Sequence, residues 1–167
     1  MSRFNEYDGA DGNWPYIRWA GAEKKARNGR PALKAFRELE AALVALPLPR
    51  LLGETFCADG AVCAVGAYVV HKRVLAGEER DAVLADLQAR DLEGDETARE
   101  GADYGLTYTL AWVMGNENDD GYEGNGGLRD RYLMRALDSK SAEIVRYDRM
   151  LRWARSEIAR LEAKFSQ

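Results

Sequence analysis

The stretch best suited to chemistry is a short run of asparagine and acidic residues followed by glycines. If Asn116 takes position 1 of a calcium-binding loop, Asn118 falls at position 3, Asp120 at position 5 and the Tyr122 carbonyl at position 7. Calcium takes about six to eight oxygen ligands, and this spacing curls oxygens around one point. Position 12, where a bidentate glutamate belongs, is Gly127, so the pattern predicts at most weak calcium binding. The alternative is a solvated loop whose Asn and Asp side chains cap neighbouring backbone.

The thiols and the single histidine do not form a recognisable catalytic pair. On a helix, Cys63 and His71 would be separated by about 12 Å along the axis, too far for a nucleophile and its base. With Cys57 they supply three soft ligands, whereas a structural zinc takes about four. Cys63 is therefore predicted to be a small core residue. No phosphate-binding loop or Rossmann fingerprint occurs, so no cofactor is expected. An enzyme whose catalytic carboxylates are distant in sequence and come together only in the folded protein is a remaining alternative.

Residues 100–108 resemble the turn of a helix-turn-helix, with Gly105 between two short helical patterns. The recognition helix would then be 106–114, which contains no Lys or Arg, and the helix before it is acidic. Phosphate contacts supply most non-specific affinity for DNA, so this helix would be repelled from a duplex. The pattern favours a corner between two helices inside the domain, and nucleic acid is not an expected partner.

Charge is distributed unevenly along the chain. The net charge is −4 overall, but residues 78–127 hold 14 acidic and 3 basic side chains. The simplest interpretation is that this acidic third is neutralised by the two basic ends in the folded protein. The functional interpretation is an acidic surface that binds a basic partner, with Asp119, Asp120 and Glu123 as candidate interface residues. One form of this hypothesis is that the segment imitates the charge of nucleic acid.

Composition is that of an ordinary globular protein, with 46% hydrophobic and 31% charged residues. The first residues lack the apolar run of a signal peptide. The longest apolar run, residues 61–70, is half of the roughly twenty residues that a membrane-spanning helix needs. These features predict a soluble protein of the cytoplasm, without a membrane partner and with reduced cysteines.

The same run at 61–70 predicts the centre of the fold, because an element that is apolar on all sides must be surrounded by others. Its small residues and the helical spacing of Val62, Val65 and Val69 favour a helix. Asp59-Gly60 before it is a hairpin signal, so a strand is the alternative. The fold class expected is mainly α, a single-domain bundle of about six to seven helices. A short hairpin near residues 51–60 is the one β element considered.

Two regions are expected along the chain: a flexible aromatic arm at residues 1–13 and a single helical domain at 14–167. Pro15 and Pro31 are typical of helix starts, and Pro47 of a helix end. The predicted helices cover, approximately, residues 14–27, 31–46, 61–73, 78–92, 97–104, 106–114, 128–137 and 139–165. A loop is expected at 115–127.

The last helix carries the most regular pattern, with apolar residues alternating at spacings of three and four over three heptads. Met150 and Trp153 lie off this seam, which predicts a second apolar patch covered by another element or another subunit. Met150 and Trp153 are therefore candidate interface residues, and a homodimer is one expected assembly. In a parallel dimer, Glu157 would face Glu162 of the second copy, which disfavours that register.

Several stretches resemble a family of small uncharacterised proteins carried by tailed bacteriophages and prophages. The matching stretches lie between residues 17 and 158 and are Phe36-Arg37-Glu38-Leu39, Ala42-Leu43, Leu46-Pro47, Arg50-Leu51-Leu52, residues 59–67, Asn118-Asp119 and the arginine-rich stretch around Trp153. The resemblance implies a phage origin and a mostly helical fold. It carries no catalytic residue. The segment 121–127 and the aromatic arm depart from the family pattern.

The function expected from these patterns is that of a phage-type accessory protein that binds a host or phage protein, rather than an enzyme. Antagonism of a host factor or defence system through the acidic surface is the specific form of this hypothesis. The alternatives are a homo-oligomeric structural or assembly protein and a weak calcium-binding protein that uses the 116–127 loop.

Overall fold

The computed structural model describes residues 14–120 and 138–167. In these residues seven helices and one hairpin form a mainly α-helical, single-domain bundle, as predicted. The predicted arm at 1–13 and the predicted helix at 128–137 lie outside the described residues. The hairpin pairs β1 (Cys57–Ala58) with β2 (Ala61–Val62). The helices are α1 (Trp14–Ala26), α2 (Arg30–Val44), α3 (Ala64–Leu75), α4 (Arg80–Arg90), α5 (Asp95–Asp103), α6 (Tyr108–Asp120) and α7 (Ser139–Phe165).

The run at residues 61–70 is the buried centre of the bundle, and each of its ten residues is buried. The choice between strand and helix has a mixed outcome. Asp59 and Gly60 both have positive φ, as in a type I′ turn, so the first two residues of the run pair back as β2. The chain then enters α3, where the thiol of Cys63 accepts a hydrogen bond from the Gly66 amide. Helix α3 packs against α2, α4, α5 and α6.

Helices α5 and α6 form the predicted corner at Gly105, which has a φ of 106°. The Leu106 amide donates to the Gly101 carbonyl and the Gly105 amide to the Ala102 carbonyl, the two bonds of a Schellman motif. A Cβ at Gly101 would lie 2.9 Å from a methyl group of Val65, so glycine lets α3 approach this corner closely.

Helix α7 lies antiparallel to α2. Arg155 at its centre donates to Glu40, and the Glu143 carbonyl near its start accepts from the amide of Leu51 beyond the end of α2. Because α2 has 15 residues and α7 has 27, α2 covers only part of the longer helix. Near the two ends of the predicted seam, Ile144 is 50% and Phe165 is 36% exposed.

The prediction of Met150 and Trp153 as interface residues was wrong within this domain. Met150 is 0% and Trp153 is 5% exposed, and the Trp153 ring packs edge-on against Phe36 of α2. The face of a straight helix drifts by about 20° per heptad, so residues off a strict seven-residue seam still reach the core. The second apolar patch is covered by this protein's own helices.

Trp19 lies on α1, and its ring packs nearly perpendicular to the ring of Trp112 on α6, with their centroids 6.0 Å apart. Its ring therefore packs on its own domain. Among the described residues, no helix is both long enough and apolar enough to cross a membrane.

Candidate functional site

The asparagine and acidic stretch does not form the predicted calcium loop in the part of the chain that the structure describes. Residues 116–120 continue helix α6, so the expected loop at 115–127 was wrong over its first residues. A helix distributes alternate residues around its axis and cannot curl Asn116 and Asn118 around one ion. Tyr122, Glu123 and Gly127 lie outside the described residues, as does the side chain of Asp120. Within the described ranges, no three Cys, His, Asp or Glu residues form a group that could hold a metal.

Asn118 is instead the centre of a buried hydrogen-bond network. Its side chain is 0% exposed, and its Oδ1 accepts from the amide of Ala64 at 3.1 Å, at the start of α3. Its Nδ2 donates to the Leu52 carbonyl at 2.8 Å and to Oδ1 of Asp119 at 2.8 Å. One carboxamide thus joins α6 to α3 and to the segment before the hairpin.

Two arginines of α7 complete this network at the end of α6. The Asn118 carbonyl accepts from Nε of Arg146 at 3.0 Å and from Nη2 of Arg149 at 2.6 Å. Nη1 of Arg146 also donates to the Leu51 carbonyl at 3.0 Å, so one guanidinium holds two segments together. A cation near the last carbonyls of a helix interacts favourably with the negative end of its dipole. A Cβ at Gly53 would overlap the guanidinium of Arg146, so the glycine leaves the room that this guanidinium occupies.

Asp119, a predicted interface residue, is an exposed residue whose carboxylate nevertheless has a structural role. Its Oδ1 accepts from the amide of Glu54 at 2.9 Å, where φ is +59°. Desolvation against this segment raises the pKa of the Asp119 carboxyl, although the hydrogen bonds from Glu54 and Asn118 and the charge of Arg146 oppose the shift. The network therefore anchors the 51–54 segment, a role that the residue types alone did not indicate.

The two thiols are free and buried. Burial raises the pKa of Cys57, whose Sγ lies 3.6 Å from the Leu84 carbonyl. Burial raises the pKa of Cys63 to about 12. Both thiols are therefore protonated at neutral pH, and a protonated thiol is a poor nucleophile. The prediction that Cys63 is a core residue is confirmed.

Helices α4 and α5 carry an acidic surface, which we call the α4–α5 face. Residues 78–103 contain ten acidic and three basic side chains. Some of the acids are neutralised: Arg73 pairs with Glu78 and Asp86, and Arg90 pairs with the buried Glu100. Five exposed carboxylates have neither a basic partner nor a side-chain hydrogen bond among the described residues. They are Asp81, Asp91, Glu93, Glu96 and Asp103.

A basic groove of about 540 Å³ runs along the outer face of α2. Arg30, Lys34 and Arg37 supply its cations, at spacings of four and three residues that place them on one side of the helix. His71 of α3 and Phe165 of α7 also line the groove. Sequence reasoning missed this groove. The sequence shows the spacing of the three cations. It does not show that residues of α3 and α7 lie next to them in the fold.

Glu38 also lines this groove. Its carboxylate accepts from the hydroxyl of Tyr68 at 2.7 Å and from Nζ of Lys72 at 3.1 Å. Burial acts to raise the pKa of Glu38, but these two hydrogen bonds and the charges of Lys72 and Lys34 outweigh it. The pKa of Glu38 is therefore below its ordinary value of 4.5.

We expect this cluster to make stability depend on pH in acid. Because the folded-state pKa of Glu38 is depressed, its contribution is present above pH 4.5 and is lost as the pH falls through the folded-state value. Denaturant titrations at successive pH values should show this loss in the wild type. The loss of stability in acid should be smaller in Tyr68→Phe, which lacks one hydrogen bond to Glu38. In Glu38→Gln, the part of the loss that is due to this carboxyl should be absent. Glu93→Gln, at an exposed carboxylate, is the control. Equal pH dependence in the wild type and Tyr68→Phe would contradict the assignment.

Comparison of the chain with protein-family models, curated proteins and solved structures finds no match.

Proposed function

We propose that this protein is a protein-binding accessory module whose α4–α5 face engages a basic surface of a partner. The observation that carries the proposal is the set of five exposed carboxylates on this face that have neither a basic partner nor a side-chain hydrogen bond among the described residues. The simpler expectation was neutralisation by the basic ends of the chain. Arg155 and Arg160 of α7 instead form salt bridges with Glu40 and Glu157, which lie outside the α4–α5 face.

A face of like charges favours fast, salt-dependent association with a surface of opposite charge. Repulsion between the unpaired carboxylates of this face also destabilises the folded state. Their presence therefore favours a role in binding rather than in folding. The biological setting that we propose is a phage accessory protein that antagonises a host factor. It rests on the resemblance of stretches such as residues 59–67 to phage proteins. In its most specific form, the face occupies a nucleic-acid-binding channel of a defence complex.

The test is retention of bacterial proteins on the immobilised full chain. We expect the wild type to retain a partner that Glu93→Gln/Glu96→Gln retains several-fold less, because two unpaired carboxylates are neutralised. Retention should also fall when salt is raised from about 0.05 M to about 0.3 M, since the Debye length shortens. Added duplex DNA should release the same partner if the face imitates nucleic acid.

The matched control is Glu54→Gln/Asp148→Asn, which changes the net charge equally at two exposed residues away from the α4–α5 face. This control should bind like the wild type. The proposal fails if no protein is retained, if both double variants lose the partner equally, or if retention is indifferent to salt.

A further inference from the structure

The basic groove on α2 is a second surface, of opposite charge to the α4–α5 face. Helix α3 packs against α2, and it also packs against α4 and α5, so it lies between the two surfaces. The acidic face therefore does not neutralise the groove.

The groove has an excess of positive charge. Arg37 pairs with Glu162 at 2.7 Å, and Glu38 is shared between Lys72 at 3.1 Å and Lys34 at 3.9 Å. Arg30 has no carboxylate partner among the described residues, and its guanidinium lies 5.7 Å from the centre of the Phe165 ring. The side chain of Lys34 is 76% exposed, so it is available to an anion at little cost in desolvation.

Apolar side chains lie among these cations. Leu33 and Ala41 of α2 line the groove, and the ring of Phe165 is 36% exposed beside Arg30. A site with charged groups around an apolar centre recognises a ligand that carries both acidic and apolar groups. A simple inorganic anion would leave the apolar part of the groove unused.

The length of the groove indicates a chain rather than a compact molecule. Its lining on α2 extends from Arg30 to Ala41, which corresponds to about 16 Å along the helix axis. An extended peptide rises about 3.3 Å per residue, so roughly five residues would span this distance.

We propose that this groove binds an acidic peptide segment of a partner protein. An apolar side chain of the segment lies against Leu33 and Phe165, and its carboxylates pair with Arg30 and Lys34. The two surfaces together make the protein a connector between a basic partner and an acidic one. The inference does not depend on the α4–α5 face, so either surface can fail while the other stands.

The experiment selects binders for the full chain from a random library of peptides of about twelve residues, roughly twice the length that spans the groove. We expect enrichment of peptides in which acidic residues flank an apolar one. A fluorescein-labelled selected peptide, followed by anisotropy, should bind Arg30→Glu/Lys34→Glu about tenfold or more weakly than the wild type. Lys140→Glu/Arg152→Glu, with the same change in charge at two exposed residues outside the groove, should bind like the wild type. Glu93→Gln/Glu96→Gln should also bind normally, which separates this site from the α4–α5 face.

Three results would overturn the proposal. The first is selection without enrichment of acidic peptides. The second is equal affinity of the selected peptide for the wild type and Arg30→Glu/Lys34→Glu. The third is a rise in mass with protein concentration in light scattering that only this groove variant abolishes, because the occupant would then be a second copy of this chain.

Discussion

Asn118→Ala is expected to lower the free energy of unfolding by about 3 kcal/mol or more, since it removes a buried amide and leaves its partners without hydrogen bonds. The Ala64 amide and the Leu52 carbonyl lose the side chain that bonds both of them. Each buried polar group left unpaired costs about 1–3 kcal/mol. For a chain of this size, the loss corresponds to a fall in melting temperature of about 6–12 °C. Thermal and urea unfolding would measure it.

Asn116→Ala is the matched control, two residues earlier on the same helix. In the described structure the Asn116 side chain makes no hydrogen bond, and its replacement should change stability by no more than about 0.5 kcal/mol. Asn118→Asp tests the polarity of the network, because it places an oxygen where the amide nitrogen donates to the Leu52 carbonyl and Asp119. If the Asn118→Ala and Asn116→Ala variants had the same free energy of unfolding, the hydrogen-bond network of Asn118 would not stabilise the fold.

Gly66→Ala is the second substitution expected to have a large effect. A Cβ at Gly66 would lie 2.8 Å from the Phe56 carbonyl oxygen and 3.0 Å from Cβ of Val62. The Phe56 carbonyl is held in place because it accepts a hydrogen bond from the Cys63 amide at 3.0 Å. The Phe56 backbone must therefore shift and the Val62 side chain must move slightly, and overpacking of this kind costs about 1–3 kcal/mol. We expect a loss within this range in chemical denaturation.

Gly115→Ala provides a control of opposite sign. Gly115 also lies inside a helix, but a Cβ there would meet nothing within 4 Å. Alanine should therefore stabilise α6 by about 0.5–1 kcal/mol through its higher helix propensity. If both substitutions stabilised the protein, helix propensity rather than the close approach of α3 to the hairpin would control Gly66.

The central run shows how far local patterns extend. Asp59-Gly60 and the helical spacing of the valines were competing signals for one segment, and both are used in succession. The turn depends only on two residues that adopt positive φ, and the helix only on small and apolar neighbours. The residues did not determine where the strand changes to a helix at Cys63. That point depends on hydrogen bonds that the Cys63 and Ala64 amides donate to Phe56 and Asn118, elsewhere in the chain.

The stretch at Asn118 shows where residue types mislead. Asparagine and aspartate oxygens at alternate positions suit a cation, but the same groups also accept from backbone amides. In the fold, Asn118 Oδ1 accepts from Ala64, which is 54 positions away, and the Asn118 carbonyl accepts from Arg146. Those partners come from other helices, so periodicity could not indicate them.

The sequence by itself determined the helical class, the turns at Gly60 and Gly105 and the burial of residues 61–70. These follow from propensity, backbone freedom and hydrophobic spacing, which act between near neighbours. The tertiary structure alone decided which charges are neutralised and which remain for a partner. Glu157 is paired with Arg27 across 130 positions, while Glu93 stays unpaired among the described residues. Electrostatic pairing depends on distance in space, and the packing of α2, α3 and α7 sets that distance.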